Sequence, residues 1–398
     1  MFFFSNRDCL VFFMKQHQTS EATNILLSLD IIMALPSVLM LLCAFPLSNA
    51  AGRLREFHLL NKTYINETLV TTVCKTNYTD IVTVYDDKDN KELLKHIKDS
   101  DAPSVLIGAH TLNTKYTSKW SNGDDVTFTS FTEKCTCTTE ICGAAMRTNG
   151  SWELLSFNET KHFMCYNEGV DRSSHNYSLI SQNKTWTEAQ LYCREHHTDL
   201  VSITNEQENE RVKNETREFP FWIGLLHDKI EWFDGGRSAY RDKLFYPKEE
   251  KGFLISGQGW TQASFPSKYY TLCYKSLIHV STHEMSWEEA LDYCNAPGLL
   301  RIESKDDQIE TERELRKQKI SEPVWIGLRQ SRLFGFWIWM NGPNVGSWTN
   351  WKGGRQPEHQ ISHHCGVMEK VDGTFKWADK DCRSKFRVLC EKNRQLKF

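Results

Sequence analysis

Two stretches of the chain alternate apolar and polar residues with the period of an amphipathic helix. They are WTEAQLYC at 186–193 and WEEALDYC at 287–294, preceded by Thr185 and Ser286. A hydroxyl residue before Trp-x-Glu-Ala predicts a helix start, and the Ala, Leu and Cys positions then share one face. Second helices are predicted at 205–217 and 306–317, with their charged residues on a solvated face. Short apolar runs such as WIGL predict buried strands.

These signals recur in the same order along the chain. WIGL at 222–225 and 325–328 follows each helix by about 30 residues, and Cys273 and Cys390 close the two units. A more divergent copy has Cys74, then LIGA at 106–109, then Cys165. Such self-similarity predicts tandem domains. The predicted boundaries are 53–168 (degenerate domain 1), 174–274 (domain 2) and 275–393 (domain 3).

The N-terminal 50 residues are predicted to be a leader. An apolar run from 33 to 50 ends in Ser48-Asn49-Ala50, small residues of the kind that a signal peptidase reads. Residues 1–32 are then an upstream extension before a start at Met33. The competing interpretation is a type II membrane anchor at about 24–47, but Asp30 and Pro36 lie within it and a carboxylate is costly in a bilayer. We expect a secreted, extracellular protein.

Composition supports an oxidising, extracellular compartment. The 398 residues carry a net charge of −3, which gives no reason to expect a nucleic-acid partner. Thirteen cysteines favour disulfide formation. Eight Asn-x-Ser/Thr sequons predict a glycoprotein, and none of the sequons lies in the third unit. The predicted glycosylation sites are Asn61, Asn66, Asn77, Asn149, Asn158, Asn176, Asn183 and Asn214.

The chain resembles the C-type lectin-like domain family. The resemblance rests on W-x-E-A-x-x-Y-C, on WIGL, on the W-x-D-x-x-C that ends at Cys382 and on the closing Cys390. It implies an α+β fold of three tandem, disulfide-bonded domains, each with two helices and small antiparallel sheets. Tandem copies are similar to macrophage mannose receptor relatives. The implied function is recognition of glycans or glycoproteins, with innate immune pattern recognition as one setting.

The resemblance also implies a disulfide pattern. The implied pairs are Cys74–Cys165, Cys193–Cys273, Cys294–Cys390 and Cys365–Cys382. Phe253 and Phe265 replace the inner cysteines of the second unit, and we predict that their rings touch.

Three further thiols, Cys135, Cys137 and Cys142, lie close together in the first unit. One local pair would leave one thiol, either for a disulfide-linked dimer or as a buried odd cysteine.

In family members that bind sugar, a Glu-Pro-Asn or Gln-Pro-Asp triplet and an Asn-Asp pair supply oxygen ligands to Ca²⁺. By position, Gln356, Glu358 and Asp379 are the metal-ligand candidates here, and they form the sugar-binding candidates together with His363. His363 replaces a glutamate and Ala378 replaces an asparagine, so the resemblance implies weak or absent calcium binding. Neither other unit retains the triplet.

Two classes of recognition function compete, and a calcium-dependent response would separate them. The first is glycan or glycoprotein binding through a degraded calcium site in the third unit. The alternative is calcium-independent protein–protein recognition without sugar. We find no motif of a hydrolase, a nucleotide-binding enzyme or a metalloprotease and predict no enzymatic activity. His359, His363 and His364 are predicted to be loop histidines, not a zinc site.

Overall fold

The structure is a computed structural model that describes residues 54–111, 116–131, 137, 139, 141–242, 252–340, 342, 344–358 and 362–393. The predicted leader and anchor segments lie outside the described residues. Within the described ranges, no helix has the length and apolar character needed to cross a membrane.

Helices form where hydroxyl and acidic residues satisfy the free N–H groups of the first turn. Thr185 caps one helix and shares a capping box with Glu188, and Ser286 and Glu289 do the same for another. Both predicted starts are therefore confirmed. The helices described are α1 (Asp87–Lys98), α2 (Trp186–His196), α3 (Glu206–Asn214), α4 (Trp287–Tyr293) and α5 (Lys305–Lys317).

Strands account for most of the remaining regular structure. In chain order they are β1 (Arg55–Ile65), β2 (Asp80–Ile81), β3 (Val105–Thr111), β4 (Thr117–Trp120), β5 (Ile141–Met146), β6 (Trp152–Ser156), β7 (Lys161–Asn167), β8 (Asn176–Lys184), β9 (Asp199–Leu200), β10 (Phe221–Asp228), β11 (Ile230–Trp232), β12 (Gly252–Ser256), β13 (Gly259–Ala263), β14 (Ser267–Ser276), β15 (Ile278–Val280), β16 (Gly298–Leu299), β17 (Val324–Gln330), β18 (Trp337–Trp339), β19 (His363–Val371), β20 (Thr374–Asp381) and β21 (Arg387–Glu391).

The third sheet is built from the third sequence unit alone. Its path is β15-β21-β17-β19-β20, with β16 on β21 and β18 on β17. The closing strand β21 pairs in parallel with the WIGL strand β17, joining Trp325 to Val388. We call this part, residues 278–391, the third body.

The other two sheets exchange strands between the first and second sequence units. One sheet combines β1, β2 and β3 with β11 to β14, and the other combines β4 to β7 with β8, β9 and β10. We call residues 54–111 with 230–276 the first body, and residues 117–228 the second body. The closing strands are swapped: β14 runs parallel to β3, and β7 runs parallel to β10. The mixed α+β fold is as expected, but the first two units do not fold separately.

The strand exchange makes two of the implied disulfides wrong. Cys74 bonds to Cys273, and Cys165 bonds to Cys193, instead of Cys74–Cys165 and Cys193–Cys273. The reason is that Cys165 lies on β7 and Cys273 on β14, and each of these closing strands packs in the body that holds the other unit's cysteine.

The bridges of the third body match the implied pattern. Cys294 pairs with Cys390 and Cys365 with Cys382. The local pair in the first unit is Cys137–Cys142. Cys135, the third thiol of this group, lies outside the described residues.

The glycine of each WIGL or LIGA run sits where another backbone segment comes close. A Cβ on Gly108, Gly224 or Gly327 would lie 2.9–3.0 Å from a carbonyl oxygen of a neighbouring segment. Only glycine avoids that clash. The helix tryptophans lock the same strands, since Trp186 and Trp287 donate their indole N–H to the carbonyls of Ile223 and Ile326.

The two phenylalanines that replace the inner cysteines of the second unit pack in different clusters. Phe253 lies in the large core near Trp260, with ring centroids 6.3 Å apart. Phe265 packs edge-on against Tyr269 in a smaller cluster. The prediction that the rings of Phe253 and Phe265 touch is not confirmed, since the two rings belong to different clusters.

Candidate functional site

The polar triplet predicted from the sequence lies on the surface of the third body. Gln356 and Glu358 are exposed on either side of half-buried Pro357. The indole N–H of Trp337 donates to the Pro357 carbonyl oxygen over 3.5 Å. Trp337 packs on buried Trp351, with ring centroids 4.9 Å apart. A rigid aromatic cluster therefore supports a loop whose polar side chains face solvent.

That aromatic cluster is the local core of the third body. Trp351 also meets Trp377 edge-on, with ring centroids 5.6 Å apart. The buried Trp377 indole N–H donates to Gln308 Oε1 at 2.9 Å. The backbone N–H of Trp377 donates to the Asn350 carbonyl oxygen at 2.8 Å. Strand β20, which carries Asp379, is thus held in place beside the loop that carries Gln356.

His363 and Asp379 lie together on neighbouring strands β19 and β20. The imidazole Nδ1 is 3.8 Å from a carboxylate oxygen of Asp379. The side chain of His363 is 43% exposed and that of Asp379 is 19% exposed. When the imidazole is protonated the two form an ion pair. A cation at this position competes with a metal ion for the same carboxylate.

The residues present do not fit a calcium site. Calcium takes six to eight oxygen ligands, most of them from carboxylates and carbonyls. Across the described ranges, no three His, Cys, Asp or Glu side chains converge as a metal-binding group. Ala378 is buried and offers no ligand. The Gln356–Pro357 bond is not among the cis peptide bonds of the described chain.

The other two histidines of the predicted loop cluster are His359 and His364. His364 is 6% exposed and follows His363 on β19, so the prediction of an exposed loop residue is wrong for His364. Its side chain points inward because successive residues of a strand face opposite sides. His359 lies outside the described residues.

The predicted glycosylation sites are accessible with one partial exception. Seven of the eight asparagines are exposed, and Asn66 is half-buried. The Asn66 side-chain oxygen accepts the backbone N–H of Leu69 at 2.8 Å, which starts a short 3-10 turn. None of the sequons falls in the third body.

A second polar region lies where the three bodies meet. It contains a cavity of about 1060 Å³ lined by charged side chains of all three. Helix α5 of the third body supplies Arg313, which contacts Asp86 of the first body at 2.7 Å. It also supplies Arg316, which contacts Asp124 of the second body at 3.2 Å. The sequence-based expectation that the α5 charges face solvent is wrong for these two arginines.

Further contacts fasten the third body to the second. Lys376 meets Glu168 at 2.7 Å, with the lysine side chain 6% exposed. Arg172 Nε donates to the Asp372 carbonyl oxygen at 2.7 Å, and its guanidinium also binds Asp124. Asp124 therefore joins an arginine of the second body to Arg316 of the third. We interpret these ion pairs as contacts that hold the third body against the second, since each of these charges has a partner of opposite sign or a carbonyl oxygen.

The ion pairs change the protonation behaviour of the junction. Burial alone pushes the pKa of Asp86 upward, but the Arg313 guanidinium and the Asp89 N–H outweigh burial and hold that pKa well below its ordinary value. Burial raises the pKa of Glu312, although Arg316 lies against it. Docking of Arg313 therefore helps to keep Asp86 ionised at low pH, together with the Asp89 N–H of the first body.

Sequence reasoning missed this junction and one other surface. Arg313 and Arg316 carry no signal of burial in a single sequence, because their partners lie about 190 to 230 positions away. The turn at 331–336 of the third body exposes Leu333 and Phe334, which are 82% and 71% accessible. Two large apolar residues in succession beside a glycine would have been the signal for that turn.

Comparisons with known proteins agree on the domain type. The lectin C-type domain profile matches residues 68–167, 182–275 and 283–392, which is well over half of the chain. C-type lectin lectoxin-Phi1 of Philodryas olfersii is 31% identical over 146 residues, which is 35% of this chain and 90% of that protein. The bovine secretory phospholipase A2 receptor is 24% identical over 261 residues, which is 54% of this chain and 18% of the receptor.

This chain therefore spans less than a fifth of that receptor. Among solved structures, the carbohydrate-recognition domain of the mouse scavenger receptor C-type lectin matches at 27% identity and a TM-score of 0.26. The match covers 30% of this chain and 90% of that domain.

Proposed function

Because the chain belongs to the lectin C-type domain family, we propose that it is an extracellular recognition protein that binds a glycan or glycoprotein without calcium. The binding surface is the loop face of the third body, formed by Gln356, Glu358, His363 and Asp379. The observation that carries this proposal is the exposure of Gln356 and Glu358 on a loop braced by buried tryptophans.

The chemistry of this face suits hydroxyl groups. Gln356 offers both a donor and an acceptor, and the Glu358 carboxylate accepts from a sugar hydroxyl. Neither side chain has to leave a buried network to do so, because both are exposed. The face also carries no predicted glycan of its own, so a partner can approach it. The proposed activity is binding, with no catalytic step.

A glycan array probed with the full chain, once with calcium and once with EGTA, tests the proposal. We expect the same set of bound glycans or glycoproteins under both conditions. The double variant Q356A/E358A should lose at least tenfold in affinity. A matched control is Q258A/E67A, which removes an exposed glutamine and glutamate from the first body.

Three results would reject parts of the proposal. Loss of binding in EGTA would show that recognition depends on calcium and would contradict the calcium-independent proposal. Full binding by Q356A/E358A would place the ligand elsewhere. Binding that survives enzymatic removal of the ligand's glycans would favour protein–protein recognition without sugar.

Export, glycosylation and dimer formation belong to the same proposal. The sequons are accessible, and five described bridges need an oxidising compartment. With Cys137 bonded to Cys142, the candidate for an interchain bridge narrows from three thiols to Cys135. A non-reducing gel of C135S beside the unaltered protein tests this, and we expect only the unaltered protein to run as a dimer.

A further inference from the structure

The turn between β17 and β18 presents an apolar tip to solvent. Leu333, Phe334 and Phe336 are 82%, 71% and 44% exposed. The two phenylalanine rings stack with centroids 5.7 Å apart, so they present one continuous apolar surface. We call residues 331–336 the apolar turn. The other large exposed apolar side chains of the described chain, Tyr64, Leu69, Val170 and Leu191, lie in the first and second bodies.

The backbone of the apolar turn is well defined. The Ser331 N–H donates to the Phe336 carbonyl oxygen at 2.9 Å, and the Gly335 N–H donates to the Ser331 carbonyl oxygen at 2.8 Å. Gly335 has a φ of 75°, a conformation that favours glycine. The exposed side chains therefore stand on a fixed turn, so little conformational entropy is lost when they are buried by a partner.

The sequence around the apolar turn lacks carboxylates. No Asp or Glu occurs from Val324 to Pro357, whereas the whole chain has 51 acidic residues in 398. The same 34 positions contain four basic residues: Arg329, Arg332, Lys352 and Arg355. Arg332 and Arg355 are exposed. Arg329 and Lys352 have carboxylate partners, Glu288 at 3.9 Å and Glu369 at 2.9 Å. The positive charge available near the apolar turn is therefore chiefly that of Arg332, which lies within the turn, and of Arg355.

We propose that the apolar turn inserts into the head-group region of a bilayer that contains anionic phospholipid. Three exposed apolar side chains flanked by basic residues are the pattern of a membrane-interface contact. The aromatic rings and Leu333 enter the boundary between head groups and acyl chains. Arg332 remains at the surface and contacts lipid phosphate.

The size of the tip favours lipid over a folded protein partner. Three side chains exposed to this extent offer on the order of 350 Å² of apolar surface. A standard protein interface buries about 800 Å² on each partner. A bilayer needs no matching pocket and accepts a small protruding wedge. A soluble polyanion would satisfy the arginines but leave both phenylalanine rings in water.

Vesicle flotation with the full chain tests the proposal. The probes are vesicles of phosphatidylcholine alone and vesicles with about a third phosphatidylserine. We expect the unaltered protein to bind the anionic vesicles at least tenfold more strongly than the neutral ones. The variant L333S/F334S/F336S should lose at least tenfold in binding to the anionic vesicles. R332Q should weaken binding less and reduce its dependence on salt.

A matched control removes apolar side chains of similar exposure elsewhere. Y64S/L69S changes residues that are 53% and 44% exposed in the first body, and it should bind vesicles like the unaltered protein. Because all of these positions are exposed, thermal unfolding should be unchanged in every variant.

A direct readout of depth uses F334W with brominated lipid. Quenching of the new indole, beyond that seen in the unaltered protein, is expected on anionic vesicles. Failure of the unaltered protein to bind either vesicle would overturn the proposal. So would undiminished binding by the triple serine variant, or capture of a soluble protein by the turn in the absence of vesicle binding.

Discussion

The third body differs from the first and second bodies, which we call the exchanged pair because their strands are exchanged. Both parts use the same sequence signals but connect them differently. In the third body, β18 returns onto β17 through the six-residue turn at 331–336. In the second unit, β10 ends at Asp228 and β11 begins at Ile230, so one residue separates them. A hairpin needs about two or more turn residues. The chain therefore cannot fold back, and β11 pairs with β3 of the first body.

The sequence shows the same difference in the length of the segment between the WIGL or LIGA strand and the strand that follows it. From the end of WIGL or LIGA to the next aligned tryptophan there are 11 positions in the first unit (Ala109 to Trp120) and 11 in the third (Leu328 to Trp339). The second unit has 7, from Leu225 to Trp232. Shortened hinges favour exchange of strands between similar domains. We infer that the four positions missing from the second unit decide which copy completes each sheet.

The sharpest way to break this comparison is to restore the missing turn. Four residues, Ser-Asn-Gly-Ser, inserted after Lys229 should let the second unit close on itself. We expect the disulfides to change to Cys74–Cys165 and Cys193–Cys273, as mapped by mass spectrometry of unreduced peptides. The same insertion after Gly257, in the turn between β12 and β13, should leave the pairing unchanged. If both insertions keep Cys74 bonded to Cys273, hinge length is not the cause of the exchange.

Removing the long-range bridge should destabilise the exchanged pair more than the third body. The Cys74–Cys273 bridge has a sequence separation of 199 residues. In the chain-entropy model its loss costs about 5 kcal/mol. We expect C74S/C273S to lower the unfolding temperature of the first and second bodies together in calorimetry. The third-body transition should move by less than the error. Unfolding of the first body alone would argue against one cooperative unit.

Docking of the third body should depend on Arg313. R313M removes the contact with Asp86 and leaves that carboxylate without its guanidinium, at a cost of roughly 1–3 kcal/mol because the pair is only partly buried. The expected result is faster proteolysis between the exchanged pair and the third body. K385A is the control, since its pair with Glu289 is more than half exposed and should matter little. Equal protection of R313M and the unaltered protein would contradict this assignment.

A smaller effect should appear as a dependence of docking on pH. Asp86 has a lowered pKa in the folded chain, so its contribution is present above its unfolded pKa of about 4 and is lost as the pH falls below that value. Small-angle scattering between pH 6 and pH 2 should show expansion at the acid end. In R313M the part of the Asp86 contribution that comes from Arg313 should vanish, so the expansion should start at higher pH. An identical acid response in both proteins would remove Asp86 from the explanation.

The sequence predicted what is local in this fold. Helix starts at Thr185 and Ser286 and the buried WIGL strands follow from short-range patterns, and the family resemblance implied both bridges of the third body. The partner of each closing strand did not follow, because Cys165 and Cys273 occupy equivalent positions in similar units. Because the two units are similar, either closing strand, β7 or β14, offers the same kind of pairing and the same cysteine position. The burial of Arg313 depends on Asp86, 227 positions away, and a single sequence does not reveal such a contact.

The exchange of closing strands also constrains how this chain can be divided. A fragment that contains only the first repeat would carry half of two sheets, and Cys74 and Cys165 would each lack its partner. Laboratory expression of single repeats, or a transcript that skips one of them, would yield an open sheet edge and stray thiols. The first two repeats therefore belong together in any fragment that is to form both of their sheets, whereas the third sheet needs strands of the third unit alone.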